Sequence, residues 1–238
     1  MIERTNASPR LRARITGVLW LLVVATGVVS FVINSGLMVR GDAAATAANI
    51  LSSESLFRVG FTANLLSGVF YVGVTGLLYD LLKPVNRVVA LLAALFGIVG
   101  VAIGGYVSNL APLILLKAGP DLAAFTPNQL QAMALVFLRL NAQSFNISMV
   151  FFGCQCFLAG WLIAQSIFLP RVLGVLLCAG GLSYVTASLA NFLSPAIGAQ
   201  LAPFILPAAL LGEGSLSVWL TVAGVNGARW QEQAGAAA

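Results

Sequence analysis

Histidine is absent from this chain of 238 residues, and only 8% of the residues are charged. Without histidine the chain cannot form a bis-histidine haem site, a histidine-ligated zinc site, or a Ser–His or Cys–His catalytic pair. The two lysines, Lys83 and Lys117, fall at the ends of apolar segments, which argues against a Schiff-base lysine within a membrane. We therefore expect no metal, no cofactor and no catalytic residue, and the sequence argues against an enzyme.

The scarcity of charge accompanies a hydrophobic content of 60%. A soluble domain has about a quarter of its residues charged, whereas lipid solvates the outside of an integral membrane protein. The net charge is +5, but the basic residues lie before the first apolar run or at segment ends, not on one face. This distribution is typical of membrane topology and not of nucleic-acid binding, so the predicted partner is the lipid bilayer.

The three cysteines all fall within apolar runs. Cys154 and Cys156 are two residues apart, and residues two apart point to different faces of a helix. We interpret them, with Cys178, as small apolar helix residues and not as a redox or metal site.

The apolar runs predict six membrane-spanning helices, since one span needs roughly 20 apolar residues. "NFLSPAIGAQLAP" divides the last long run into two spans. Positions 1–14 form a basic N-terminal tail and 226–238 a C-terminal tail, and an outer helix at about 127–143 leads into span four. The spans are about 15–39, 58–82, 88–116, 144–168, 171–193 and 201–225.

Two further patterns refine this arrangement. With both tails inside, eight of the twelve basic residues lie on the inner side, so the positive-inside rule favours an N-in, C-in bundle. "TPNQ" predicts a helix start, with Thr126 as N-cap, Pro127 at the first helical position and Gln129 completing a capping box.

Five predicted spans each place one asparagine about 27–33 Å from the inner face, counting 1.5 Å per residue. Glu213 comes out about 18 Å from that face. Further polar residues lie near this depth or share a helix face with an asparagine. One hypothesis is a polar cavity in the outer half with Glu213 at its floor; the other is that the asparagines join helices by hydrogen bonds. The candidate cavity residues are Glu213, Asn34, Asn64, Asn109, Asn146, Asn191, Arg139, Gln143, Tyr71 and Tyr184.

Glu213 stands between two glycines in "LLGEGSLSVWL". An acid inside a membrane is a functional-site hypothesis by default, and no basic residue is predicted at its depth. Burial without a cation favours the neutral acid, which can donate one hydrogen bond. Gly212 and Gly214 would let a neighbouring backbone come close and accept that bond. Glu213 is therefore either a proton-binding group or a structural hydrogen bonder.

Three stretches carry a resemblance to a known family: "RLNAQSFNISMVFFG" (139–153), "LPRVLGVLLCAGGLSYV" (169–185) and "GEGSLSVWL" (212–220). They resemble the uncharacterised bacterial integral-membrane family DUF4386, a domain of unknown function, from residue 14 onward. The resemblance implies an architecture and no activity. Its pattern has a histidine where this chain has Asn141, so no proton-relay or metal role is carried over to that position.

The sequence therefore predicts an all-α, six-helix bundle in a bacterial inner membrane. The leading hypothesis is a small-molecule permease or proton-linked carrier with a polar outer-half cavity over Glu213. The alternative is a non-transporting sensory or partner-binding membrane module. The substrate and the oligomeric state do not follow from the sequence.

Overall fold

The computed structural model describes residues 8–236, so parts of the predicted tails 1–14 and 226–238 lie outside the described residues. All regular structure within 8–236 is helical, which confirms the all-α class. The helices are α1 (Pro9–Leu37), α2 (Ala43–Ser52), α3 (Glu54–Leu82), α4 (Arg87–Ile103), α5 (Tyr106–Leu116), α6 (Pro127–Gln165), α7 (Arg171–Leu193), α8 (Pro195–Ala209), α9 (Ser215–Val222) and α10 (Gly227–Ala236). A 3₁₀ turn (Pro120–Leu122) precedes α6, and a π-helical segment (Leu210–Gly214) joins α8 to α9.

Five segments of the described chain are long and apolar enough to cross a membrane, so the protein is membrane-embedded. They overlap the first five predicted spans in position, and α6 covers both the predicted outer helix and most of predicted span four. The sixth predicted span is divided among α8, the π segment and α9. The count of six and the N-in, C-in orientation stay predictions. The five segments are Pro9–Leu37, Glu54–Leu82, Arg87–Leu116, Pro127–Gln165 and Arg171–Leu193.

The chain divides into two compact units. The first unit consists of residues 1–22, 70–101 and 147–238, and the second of residues 23–69 and 102–146. Helices α1, α3, α4 and α6 therefore each contribute residues to both units.

Within the first unit, α6 and α7 approach each other backbone to backbone. A Cβ atom added to Gly160 would lie 2.6 Å from the carbonyl oxygen of Gly174, and one added to Gly153 would lie 2.6 Å from that of Gly181. Each helix places its two glycines seven residues apart, which is two turns along one face. Glycine at these positions gives the contact that small residues provide between membrane helices.

One end of the first unit is fixed by a cluster of charged and aromatic side chains. Asp80 forms ion pairs with Arg12 and Lys83. The Arg12 guanidinium lies 5.4 Å from the centre of the Trp230 ring, a cation–π contact. Trp230 Nε1 donates to the Leu81 carbonyl at 2.8 Å. These contacts dock α10 on the end of α3, so much of the predicted C-terminal tail is an ordered helix.

The second unit has its own apolar core, and its helix starts are capped. Asp42 accepts a bond of 2.8 Å from Ala45 N at the start of α2. The capping box predicted at the start of α6 is confirmed: Thr126 N donates to Gln129 Oε1 at 2.8 Å, and Gln129 N donates to Thr126 Oγ1 at 3.3 Å. The core residues are Leu37, Ile50, Phe57, Leu113 and Leu138.

The predicted third span, 88–116, is interrupted between α4 and α5. Gly105 has φ +74°, in the left-handed region, which costs any residue with a Cβ atom about 1–2 kcal/mol. The helix therefore breaks at the Gly104–Gly105 pair. Asn141 Nδ2 of α6 donates to the Gly105 carbonyl at 2.9 Å, which satisfies a backbone group that the break would otherwise leave unpaired.

Candidate functional site

Glu213 lies in the π-helical segment Leu210–Gly214, inside the first unit. Two prolines, Pro203 and Pro207, precede it within α8. Proline has no backbone N–H, so each one removes a hydrogen bond from the α-helical ladder. Single π-helical turns inside α-helices are frequent at functional sites. The segment thus places the acid at an irregular point of an otherwise apolar helix.

The Glu213 carboxyl accepts a hydrogen bond at each of its oxygen atoms. Trp20 Nε1 of α1 donates to Oε2 at 2.9 Å. Tyr184 Oη of α7 donates to Oε1 at 2.7 Å. Trp20 is 1% exposed and Tyr184 9% exposed, so both donors reach the acid from the protein interior.

The thiol of Cys156 on α6 lies beside the same carboxyl group. The Tyr71 hydroxyl of α3 faces this thiol, and among residues 8–236 it has no partner that meets hydrogen-bond geometry. The Tyr71 ring packs against Phe152, with ring centres 4.7 Å apart. The acid is therefore the centre of a cluster supplied by α1, α3, α6, α7 and the π segment.

Among the described residues, the site around Glu213 contains hydrogen-bond donors and no cation. The ion pairs found within residues 8–236 involve the acids Asp80 and Glu54, and none involves Glu213. A carboxyl group that is held by neutral donors can exist as an anion that accepts hydrogen bonds or as an acid that donates one. The arrangement therefore suits a group that gains and loses a proton in place.

The two main donors constrain where such a proton can lie. The indole N–H of Trp20 only donates, so Oε2 of Glu213 remains an acceptor. The Tyr184 hydroxyl can both donate and accept. A proton on Glu213 can therefore lie on Oε1, with the Tyr184 hydroxyl turned to accept it.

The hydrogen-bond partners of Glu213 differ from those that the sequence suggested. We expected the acid to donate towards a nearby backbone carbonyl, whereas the structure gives it side-chain donors. Close backbone approach is found at Gly212, where an added Cβ atom would lie 2.9 Å from the Leu176 carbonyl oxygen. At Gly214 no atom of the described chain lies within 4 Å of such a Cβ atom.

The predicted asparagine layer is distributed over both units. Asn191 belongs to the first unit and packs closely against Gly198. A Cβ atom added to Gly198 would lie 2.5 Å from the Cα atom of Asn191. Asn34, Asn109 and Asn146 belong to the second unit, and each has one buried amide atom without a hydrogen-bond partner among the described residues. The Asn34 side chain also donates to Ser30 Oγ at 3.2 Å.

Two of these asparagines share helix faces with the apolar core of the second unit. Asn34 precedes the core residue Leu37 by three positions, and Asn109 precedes Leu113 by four. Residues three or four apart lie on the same helix side, so both amides point towards the interior of this unit. Asn64 is partly buried, while Arg139 and Gln143 are exposed in the second unit. A single cavity joining the ten candidate residues stays a prediction.

Trp20 and Cys156 were not among the predicted site residues. The pairing of Trp20 with Glu213 could have been suggested from the sequence. An indole N–H inside a membrane protein needs an acceptor, and Glu213 is the one acid that the sequence places deep in a predicted span. The sequence gives no reason to place Cys156 at the site, because a cysteine in an apolar run is typical of helix packing. Its position beside the acid depends on how α6 is rotated.

Comparison with curated proteins gave no match, and neither did comparison with solved structures. A family model matches residues 15–224, which include the donors Trp20 and Tyr184 as well as Glu213. The match extends over both units and confirms the resemblance seen in the sequence. The chain belongs to the family described as Domain of unknown function (DUF4386).

Proposed function

We propose that the protein is a proton-linked carrier of a small molecule, located in a bacterial inner membrane, and that Glu213 is its proton-binding group. The observation that supports this proposal is the acid held by Trp20 and Tyr184 without a cation among the described residues. An acid that is kept only for stability would be expected to have a cationic partner, because an unpaired charge in a membrane is costly.

The irregular backbone around the acid supports the same proposal. Spanning helices that are broken near a binding site are a recurrent feature of secondary transporters. Here a π-helical segment carries Glu213, and two prolines precede it in α8. A segment with an interrupted hydrogen-bond ladder can change its conformation at a lower cost than a regular helix.

The test is proton uptake into liposomes that contain purified wild type or Glu213→Gln, with a pH-sensitive dye inside and an imposed pH gradient. The glutamine keeps the shape and an acceptor oxygen but cannot exchange a proton at neutral pH. We expect wild type to take up protons and Glu213→Gln to lose this activity while its thermal unfolding midpoint stays within a few degrees. Glu54→Gln is the matched control, because Glu54 belongs to the second unit and is ion-paired with Arg58 and Lys117.

A non-transporting sensory or partner-binding module is the second candidate. It is favoured by one observation, namely that both oxygens of Glu213 already have donors, as in a structural hydrogen-bond network. This candidate predicts no proton flux in wild type and a clear fall in the unfolding midpoint of Glu213→Gln. An active and stable Glu213→Gln protein would contradict the carrier.

A further inference from the structure

A second feature of the first unit, separate from Glu213, is an open pocket of about 610 Å³. It lies where the start of α1, the turn between α6 and α7, and the segment between α9 and α10 come together. Pockets of this size are in the range that holds small-molecule ligands. The residues that decide its chemistry are Arg10, Ile167, Trp219, Asn226, Gly227 and Arg229.

The charged side chains that line the pocket in the described part of the chain are all basic. Arg10 and Arg229 line it, and no acidic side chain belongs to its lining in the described part of the chain. Neither arginine forms an ion pair with any residue of 8–236. The acid nearby on α3, Asp80, is already paired with Arg12 and Lys83. Two guanidinium groups without a carboxylate beside an open pocket favour an anionic ligand.

The polar groups around the arginines leave donors available to such a ligand. Arg229 Nη1 donates to the Ile167 carbonyl at 3.4 Å, a long bond that uses one of five guanidinium N–H groups. The stem of Arg10 passes Gly224, where an added Cβ atom would lie 3.0 Å from Arg10 Cγ. Asn226 caps α10 by accepting from Arg229 N at 3.1 Å. The pocket is thus built from side chains with defined positions.

The apolar part of the lining indicates which anion fits best. Trp219 is 41% exposed and Ile167 is 43% exposed, and both line the pocket. Val222, one turn after Trp219 on α9, is 69% exposed. In a membrane-embedded protein such exposed apolar side chains face lipid. The pocket therefore combines guanidinium groups with apolar surface, which matches a phosphate group attached to acyl chains.

We propose that this pocket binds a phosphate ester, and specifically the headgroup of an anionic membrane phospholipid, through Arg10 and Arg229. Arginine pairs with phosphate oxygens through two N–H groups at once, which gives both strength and orientation. Basic pockets between membrane helices are known sites for anionic headgroups. The indole of Trp219 supplies the interfacial surface on which the glycerol region lies. The proposal does not depend on proton transport by Glu213.

The test is the titration of purified full-length protein in detergent with phosphatidylglycerol, and in parallel with phosphatidylcholine, followed by native mass spectrometry. We expect wild type to bind phosphatidylglycerol more tightly, and Arg10→Gln/Arg229→Gln to lose about tenfold or more of that affinity, since two charge-assisted contacts are removed. Arg87→Gln is the control, because Arg87 is exposed at the start of α4 and does not line the pocket.

A second variant keeps the test valid if the double variant folds poorly. Asn226→Asp retains a good N-cap for α10 while adding a negative charge to the lining, so it should weaken phosphatidylglycerol binding without loss of structure. The proposal is overturned if wild type, Asn226→Asp and the double variant bind phosphatidylglycerol equally. It is also overturned if Arg87→Gln weakens binding as much as the double variant does.

Soluble phosphate compounds distinguish the source of the phosphate group. Inorganic phosphate and glycerol 3-phosphate are added to the same proteins, and the shift in thermal midpoint is measured. No arginine-dependent shift at millimolar concentration is the result expected for a lipid headgroup site. A shift in wild type that the double variant loses, without preference for phosphatidylglycerol, would overturn the lipid source and assign the pocket to a soluble phosphate ester.

Discussion

The indole Nε1 of Trp20 donates to Oε2 of Glu213 at 2.9 Å, although the two residues are 193 positions apart. This bond joins α1 to the π segment that carries the acid. On the other side of the carboxyl group, Tyr184 donates to Oε1 at 2.7 Å. The acid thus has a fixed donor on one oxygen and, on the other, a hydroxyl group that can reverse its direction.

The first prediction concerns the fixed donor. Trp20→Phe keeps an aromatic ring but removes the N–H group, which leaves Oε2 of Glu213 without its donor. Leaving a buried acceptor unpaired costs about 1–3 kcal/mol. We expect the thermal unfolding midpoint of the purified variant in detergent to fall by several degrees.

The control for this prediction is Trp161→Phe. Trp161 lies on α6 and is 39% exposed, with no hydrogen bond of its indole found within the described residues. Its replacement should leave the unfolding midpoint unchanged. Equal midpoints for Trp20→Phe and Trp161→Phe would show that the bond to Glu213 does not stabilise the protein.

The second prediction concerns Tyr184, whose hydroxyl donates to Glu213 Oε1. Tyr184→Phe removes this bond and Glu213→Gln changes its acceptor from a carboxyl group to an amide, so their effects on stability should not add. A double-mutant cycle should give a coupling free energy of about 0.5–3 kcal/mol. Chemical unfolding of the four proteins measures it.

Tyr79→Phe provides the matched comparison for that cycle. Tyr79 also lies on a spanning helix, α3, but its hydroxyl forms no bond to Glu213. Tyr79→Phe and Glu213→Gln should therefore be additive within about 0.5 kcal/mol. Additivity of Tyr184→Phe with Glu213→Gln would contradict the geometry of the site.

Local patterns in the sequence predicted local structure well. The capping box at Thr126 and Gln129 is confirmed because it depends on residues three positions apart. A single helix, Pro127–Gln165, follows this capping box and covers the positions of the predicted outer helix and most of predicted span four. The lengths of the apolar runs predicted the first five spans, and helices long and apolar enough to cross a membrane lie at those positions.

Features that depend on helix rotation or on one backbone angle were not predictable in this way. The contact of Trp20 with Glu213 requires α1 and the π segment to face each other, and the spacing of apolar residues does not fix rotation when a helix is apolar all round. The break before α5 depends on the left-handed conformation of Gly105.

The third prediction concerns the glycine contact between α6 and α7. A Cβ atom at Gly160 would lie 2.6 Å from the Gly174 carbonyl oxygen, which is backbone and cannot move aside as a flexible side chain can. We expect Gly160→Ala to separate the two helices and to lower the free energy of unfolding by about 1–3 kcal/mol. Thermal unfolding in detergent measures the change.

A glycine-to-alanine substitution at a glycine with no close neighbour should not lower the free energy of unfolding. Gly76 lies within α3, and no atom of the described chain comes within 4 Å of an added Cβ atom there. Alanine is favoured over glycine in a helix by about 0.5–1 kcal/mol, so Gly76→Ala should be neutral or stabilising. A stable Gly160→Ala protein would show that α6 and α7 are not packed backbone to backbone.

The last prediction concerns the helix break in the second unit. Asn141 Nδ2 donates to the Gly105 carbonyl at 2.9 Å, and this bond compensates for the interrupted ladder. Asn141→Leu removes the donor and should lower the free energy of unfolding by about 1–3 kcal/mol. Asn141→His should lose less, because an imidazole ring also carries an N–H donor.

Gly105→Ala tests the same break at the residue that accepts the bond from Asn141. Gly105 has a left-handed φ of +74°, which would strain a residue with a Cβ atom by about 1–2 kcal/mol. Gly36→Ala is the control, because an added Cβ atom there meets no described atom within 4 Å and Gly36 does not have a positive φ. If Gly105→Ala and Asn141→Leu both melt like wild type, α4 and α5 form one continuous helix in the bilayer. If both melt earlier than the Gly36→Ala control, the break is held in place by the bond between Asn141 and Gly105.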